Sequence, residues 1–133
     1  VGEDVTITVT QGIWRYAIQG DNTLGAKELV YDWAGYEFAA EQNINSMIVD
    51  ENGLFYLGVS EGTGPAMVTL DLTSGAVEPF YAAVLFTPAT KLEWGPSNSI
   101  YCARFSEAPT EEVPNGIFRI SQDLLSAPNY GRD

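Results

Sequence analysis

Two phrases recur along this chain, and their recurrence constrains the fold more than any bulk property does. Gly12-Ile13-Trp14-Arg15-Tyr16 returns as Gly116-Ile117-Phe118-Arg119-Ile120, with Ala66-Met67-Val68-Thr69-Leu70 as a weaker copy between them. Asn52-Gly53-Leu54-Phe55-Tyr56 is echoed by Asn98-Ser99-Ile100-Tyr101-Cys102. Corresponding positions are separated by about fifty residues or a multiple of that, inside the range of repeat architectures. Each phrase is β-branched and aromatic, and each is bounded by Gly, Asn, Asp, Ser or Pro, so the repeated unit is a group of strands joined by turns.

Three segments follow. In the first, the strictly alternating Val5 to Thr10 leads into Gly12 to Ile18 and, across Gly20 to Gly25, into Lys27 to Asp32. The second predicts four strands, Ser46 to Val49, Leu54 to Val59, Ala66 to Leu72 and Ala76 to Tyr81, turning at Asp50-Glu51-Asn52-Gly53 and Thr73-Ser74-Gly75. Asn-Gly and Ser-Gly supply residues that tolerate positive φ where a tight turn needs it. The third predicts Thr90 to Trp94, Ser99 to Phe105 and Gly116 to Ser121, with a last strand around Leu124 to Pro128. Helical periodicity is weak throughout; only Gly35 to Asn45 could line one side of a short helix, and it reads equally as a covering loop. The expected organisation is one all-β domain over residues 1–133, with sheets over residues 1–34, 46–81 and 90–128.

Met47 to Gly58 followed by Val68 to Gly75 resembles the blades of β-propeller families of the gluconolactonase-like, NHL-like and quinoprotein-like kinds. The resemblance lies in a "D-x-N-G-x-x-Y" turn and a later "D-x-x-T-G" turn, and the third segment departs from both. It implies antiparallel four-stranded blades. Leu54 and Tyr56 on one side and Phe55 and Leu57 on the other make a strand greasy on both faces, which belongs inside a pile of sheets. Ten or so strands make under three blades, whereas closed propellers carry about four to eight. Three outcomes are open: a piece of a longer propeller, a ring completed by other chains, or a sandwich or barrel of repeated hairpins.

Charge excludes partners more than it names them. Eighteen acidic against six basic residues give a net charge of −12, which repels nucleic acid and anionic membranes. No run of apolar residues is long enough to span a bilayer. The opening Val1-Gly2-Glu3-Asp4 lacks the basic and apolar parts of a signal peptide, and a start at Val is set by cleavage or cloning, which leaves room for a removed export signal. The expected location is extracellular or periplasmic.

Histidine is absent, which removes the usual general base and the usual metal ligand together. Asp50, Glu51, Asp71, Glu93, Glu111 and Glu112 are the carboxylates available for acid–base work, but Asp50 and Asp71 sit where turns use Asp for local hydrogen bonds. No cofactor is expected; Ca2+ bound by acids from separate blades, as the resemblance allows, maps onto no particular residues. Cys102, in the apolar run Ile100 to Ala103, reads as a packing residue.

The aromatics Trp14, Trp33, Tyr36, Trp94, Tyr101 and Tyr130 remain. Trp14 and Trp94 are expected between sheets. Trp33 and Tyr36, in a linking segment, are the expected ligand-binding pair, since exposed flat rings bury area at small entropic cost. The leading expectation is a non-enzymatic module that recognises a protein or glycan through loops at one end of the blades. A fragment of a metal-dependent, lactonase-like propeller hydrolase and a self-assembling surface subunit are the alternatives.

Overall fold

A computed structural model describes residues 11–81 and 87–121. It is all-β, with nine antiparallel strands among the described residues: β1 (Gly12–Ile18), β2 (Leu24–Asp32), β3 (Ile44–Val49), β4 (Phe55–Val59), β5 (Met67–Leu70), β6 (Val77–Tyr81), β7 (Ala89–Gly95), β8 (Ser99–Arg104) and β9 (Gly116–Ser121). They form three sheets, each a simple meander: β1-β2, then β3-β4-β5-β6, then β7-β8-β9. The strands expected over Val5 to Thr10 and around Leu124 to Pro128 lie outside the described residues, as does Tyr130.

The turns obey the chemistry of their residues. Gly53 and Gly75 take φ of 84° and 73°, so both hairpins of the central sheet that end in Gly use its freedom there. The Asp50 carboxylate accepts the N–H groups of Asn52 at 2.9 Å and Leu54 at 3.0 Å. Asp71 does the same for Thr73 N–H at 2.8 Å and takes the Ser74 hydroxyl at 2.8 Å. Both acids are turn-builders, and the Ser74 and Thr73 bonds hold the Asp71 carboxyl below its usual range.

The central sheet is covered on both faces, as the two-sided apolar pattern of β4 requires. One face gives Leu57, Val59, Val68 and Leu70 to a cluster with Ile13 and Trp33 of the first segment. The other gives Ile48, Tyr56 and Met67 to a cluster with Ala89, Leu92, Ile100, Cys102 and Ile120 of the third sheet. Full burial of a Leu57-sized side chain contributes about 1.5–3 kcal/mol. Gly58 lets β7 come close: a Cβ there would stand 2.7 Å from the Ala89 carbonyl oxygen.

Side chains also lock the sheets together, all through β3. The Gln11 amide pairs with the β3 backbone in both directions, donating to Ile44 O at 3.1 Å and accepting Ile44 N–H at 2.7 Å. From the other side, Leu92 N–H donates to Ser46 Oγ at 2.6 Å, and Trp94 Nε1 donates to Val49 O at 2.9 Å. Satisfying buried donors in this way removes the penalty of leaving them unpaired.

Two expectations need amendment, and one open choice is decided. Trp14 does not pack between described sheets; it is 39% exposed on the face of the first sheet turned away from the central one, with Lys27 Nζ 3.8 Å from its ring centre. Trp94 does pack between sheets, edge-on to Tyr56 at 5.8 Å. The segment after β2 is a cover, not a helix: a short 3-10 turn at Trp33–Gly35 continues into a loop whose Tyr36, Phe38 and Ala39 lie on the apolar cluster. Finally, the echo between Asn52 to Tyr56 and Asn98 to Cys102 does not preserve faces. Residues 50–54 separate the paired Val49 and Phe55, whereas residues 96–98 separate Gly95 and Ser99. The correspondence slips by one residue, which turns each side chain to the opposite face.

Candidate functional site

Trp33 and Tyr36, expected to be exposed, are 2% and 8% exposed. The reason is a partner the sequence does not advertise: Trp33 Nε1 donates to the Gln42 carbonyl at 2.7 Å, and its ring tilts onto Tyr36 at 4.5 Å. Packing occupies the faces that a ligand would need. Tyr36 still borders a depression of about 210 Å3 shared with Tyr31, Glu37 and Val77. Burial pushes its phenol up to about 12, with Glu37 and Tyr31 adding to the shift.

A larger concavity lies elsewhere, at the end of the stack where β3 and β7 begin and β4 and β8 finish. It is an open cleft of about 990 Å3 between the loop after β4 and the segments flanking β7 and β8. Its most conspicuous feature is Phe105, directly after β8, which is 64% exposed. Asn45, Ser60, Glu61, Thr90 and Glu107 share the lining of the cleft with it.

Both walls are held in shape. On the β8 side, the buried Arg104 guanidinium donates through Nε to Thr87 O at 2.6 Å and through Nη1 to Val113 O at 3.0 Å and Asn115 Oδ1 at 3.1 Å. Asn115 in turn accepts Ser106 N–H at 2.7 Å and donates to Ser106 O at 3.0 Å, closing the loop between β8 and β9 on itself. Phe105 N–H donates to Thr90 Oγ1 at 3.2 Å, which ties the aromatic to the start of β7. On the β4 side, Gln42 Nε2 donates to Ser60 O at 2.9 Å and Pro65 O at 3.2 Å. The Glu41 carboxylate takes the Thr63 hydroxyl at 2.7 Å and its N–H at 3.1 Å, and these bonds hold that carboxyl below its usual range.

Such a site can do some things and not others. A cleft lined by a flat exposed ring together with amide, hydroxyl and carboxylate side chains offers one surface for stacking and others for hydrogen bonds. The acids flagged by sequence are spent or scattered: Asp50 and Asp71 close turns, and no group of three or more Cys, Asp or Glu among the described residues is placed to hold a metal ion. Cys102 is fully buried, and burial pushes its thiol up to about 11, as expected of a packing residue. No described helix is long and apolar enough to cross a membrane.

The sequence pattern makes Phe105 the last residue of a strand, whereas β8 ends at Arg104. It alternates with Tyr101 and Ala103, and the Ser-Glu-Ala-Pro stretch that follows is the sequence signal for the end of the strand and for an exposed ring. Comparison with known proteins finds no family model, no curated protein and no solved structure that matches this chain.

Proposed function

We propose that the chain is a non-enzymatic binding module of β-propeller type, acting outside the cytoplasm and recognising a glycan or protein through the loops at one end of its sheets. Two features support the propeller part of the reading. Each sheet is an antiparallel meander, and the central one is covered on both faces by its neighbours along the chain. The third-strand phrases also fall in register: Val68 pairs with Leu57 as Phe118 pairs with Cys102.

The binding part rests on a single observation, the open cleft lined by the exposed Phe105 with both walls pinned by hydrogen bonds. Pre-formed walls cost little to order on binding, so a modest cleft holds useful affinity. Its hydroxyl, amide and carboxylate rim matches the alternating donors and acceptors of a sugar better than an apolar peptide. Glu61 and Glu107, in a chain of net charge −12, favour neutral or amino-bearing glycans over acidic ones.

An array of defined neutral, amino-bearing and acidic oligosaccharides, with a matched set of peptides, tests this. Binding is expected in the first two glycan groups, and Phe105→Ala is expected to weaken it by about tenfold or more. Absence of binding across the array, or a Phe105→Ala variant that binds as the parent does, overturns the reading.

A further inference from the structure

Two buried side-chain oxygens have no hydrogen-bond partner among the described residues, Gln42 Oε1 and Tyr36 Oη. Gln42 lines neither of the cavities described above, whereas Tyr36 forms part of the wall of the smaller one. That depression takes its walls from two short stretches, within Tyr31 to Glu37 and Gly75 to Val77, and shares no residue with the Phe105 cleft.

Both stretches are held in place by their own bonds. In the first, Tyr36 N–H donates to Trp33 O at 2.9 Å, and Tyr36 O accepts Ala39 N–H at 3.0 Å. In the second, Gly75 N–H donates to Asp71 O at 2.8 Å, and Ala76 N–H donates to Ser74 Oγ at 3.2 Å. The Tyr36 ring packs on Trp33, and Phe38 stands edge-on to it with centres 5.6 Å apart. Those contacts fix the ring, and the hydroxyl is the part of it left with nothing to bond. A hydroxyl removed from water and given no partner is a standing cost, which a ligand that bonds it takes away.

Room and chemistry define that ligand. A water molecule's share of the liquid is about 30 Å3, so about 210 Å3 admits a small polar head and a few carbons. The ionisable side chains of the lining are two phenols and the Glu37 carboxylate, with no Lys or Arg among them, so the lining offers acceptor oxygens and negative charge. Val77 and the ring of Tyr31, both half-buried, give an alkyl stem a surface to lie on. The field of a chain with net charge −12 draws cations to such a place.

We infer that this depression is a second binding site, for a primary alkylammonium group that donates one N–H to Tyr36 Oη and sets its charge against Glu37. An ammonium is compact and carries three donors, which suits a small lining made of acceptors. A lysine side chain of a partner protein and a free small amine carry the same group. The inference goes beyond the proposed function and is independent of the cleft.

Calorimetric titration of the 133-residue chain with n-butylammonium, N-acetyl-lysine methylamide and, as the uncharged match, n-butanol tests it. Both ammonium probes are expected to bind at millimolar concentration or below, and n-butanol about tenfold more weakly or not at all. Tyr36→Phe keeps both the net charge and the ring, so it separates this site from general attraction to an acidic protein. It is expected to weaken ammonium binding by about fivefold or more while the thermal midpoint stays level or rises, because it deletes a polar group buried without a partner. Glu37→Gln is expected to weaken binding by about threefold. Tighter binding of the capped lysine supports a site for a protein side chain, and tighter binding of n-butylammonium supports one for free amines. The inference is overturned by no ammonium binding, by equal binding of n-butanol, or by a Tyr36→Phe chain that binds as the parent does. A sharp fall in the Tyr36→Phe midpoint overturns it too, since the hydroxyl would then already be bonded. None of these outcomes bears on glycan binding, which Phe105→Ala reports separately.

Discussion

The central and first sheets contain the same kind of strand and live in different surroundings. β4 and β5 are enclosed on both sides, with Leu57, Val59, Met67, Val68 and Leu70 wholly buried. β1 and β2 bury Ile13 on one side and leave Trp14, Tyr16, Ile18, Leu24 and Leu29 open on the other. Pattern alone therefore does not decide burial; position in the pile does. A strand of this composition is half a design, completed by whatever lies across from it.

The sharpest way to break the comparison is to remove equivalent apolar bulk from both places. Leu57→Ala is expected to cost about 3–4 kcal/mol in urea unfolding, whereas Ile18→Ala in dilute, low-salt solution stays within about 0.5 kcal/mol. Equal costs would mean that the two sheets are not differently enclosed. Gly58→Ala comes next: its added methyl meets the Ala89 carbonyl, and a loss of about 1–3 kcal/mol is expected on thermal unfolding, against little change for an Ala at the open-space Gly20. Of similar size or smaller are the locks. Ser46→Ala leaves the Leu92 N–H without its acceptor inside the stack, for about 1–3 kcal/mol, while Gln11→Ala, at the less enclosed joint, costs about 1 kcal/mol; a double-mutant cycle with Trp94→Phe sorts the two joints.

Alkali supplies the mildest perturbation. Burial raises the Cys102 thiol from 9.0 to about 11 and the Tyr56 phenol from 10.0 to about 12, the latter with help from Asp50. For an acid whose folded value is raised, the native state favours the protonated form. The associated stability is whole below the unfolded value and disappears as pH climbs through the folded one. Unfolding midpoints are therefore expected to fall between about pH 9 and 12, and Cys102→Ser is expected to remove the lower part of that fall. A flat profile from pH 8 to 12 would mean that neither group is enclosed as described.

Much of the scaffold was legible because turns are written locally. Asp50, Gly53, Asp71 and Gly75 carry their own instructions, and the strands between them follow by alternation. The faces were less legible, since a turn of different length before β4 and β8 slips the register without altering the phrase. The candidate site was least legible of all. Trp33 is buried by a carbonyl at Gln42, and the cleft around Phe105 is shaped by Arg104 reaching Thr87 and Asn115. Those are relations between distant residues, and no local pattern encodes them.

The polar cross-links between described sheets land on β3, from Gln11 on one flank and from Leu92 and Trp94 on the other. Greasy contacts tolerate sliding, but a directional bond does not, so this strand behaves as a spine and the strands beyond it as pages. Bending the molecule would open the pages and leave the spine intact. The Phe105 cleft, which Asn45 of β3 helps to line, sits at the head of that spine.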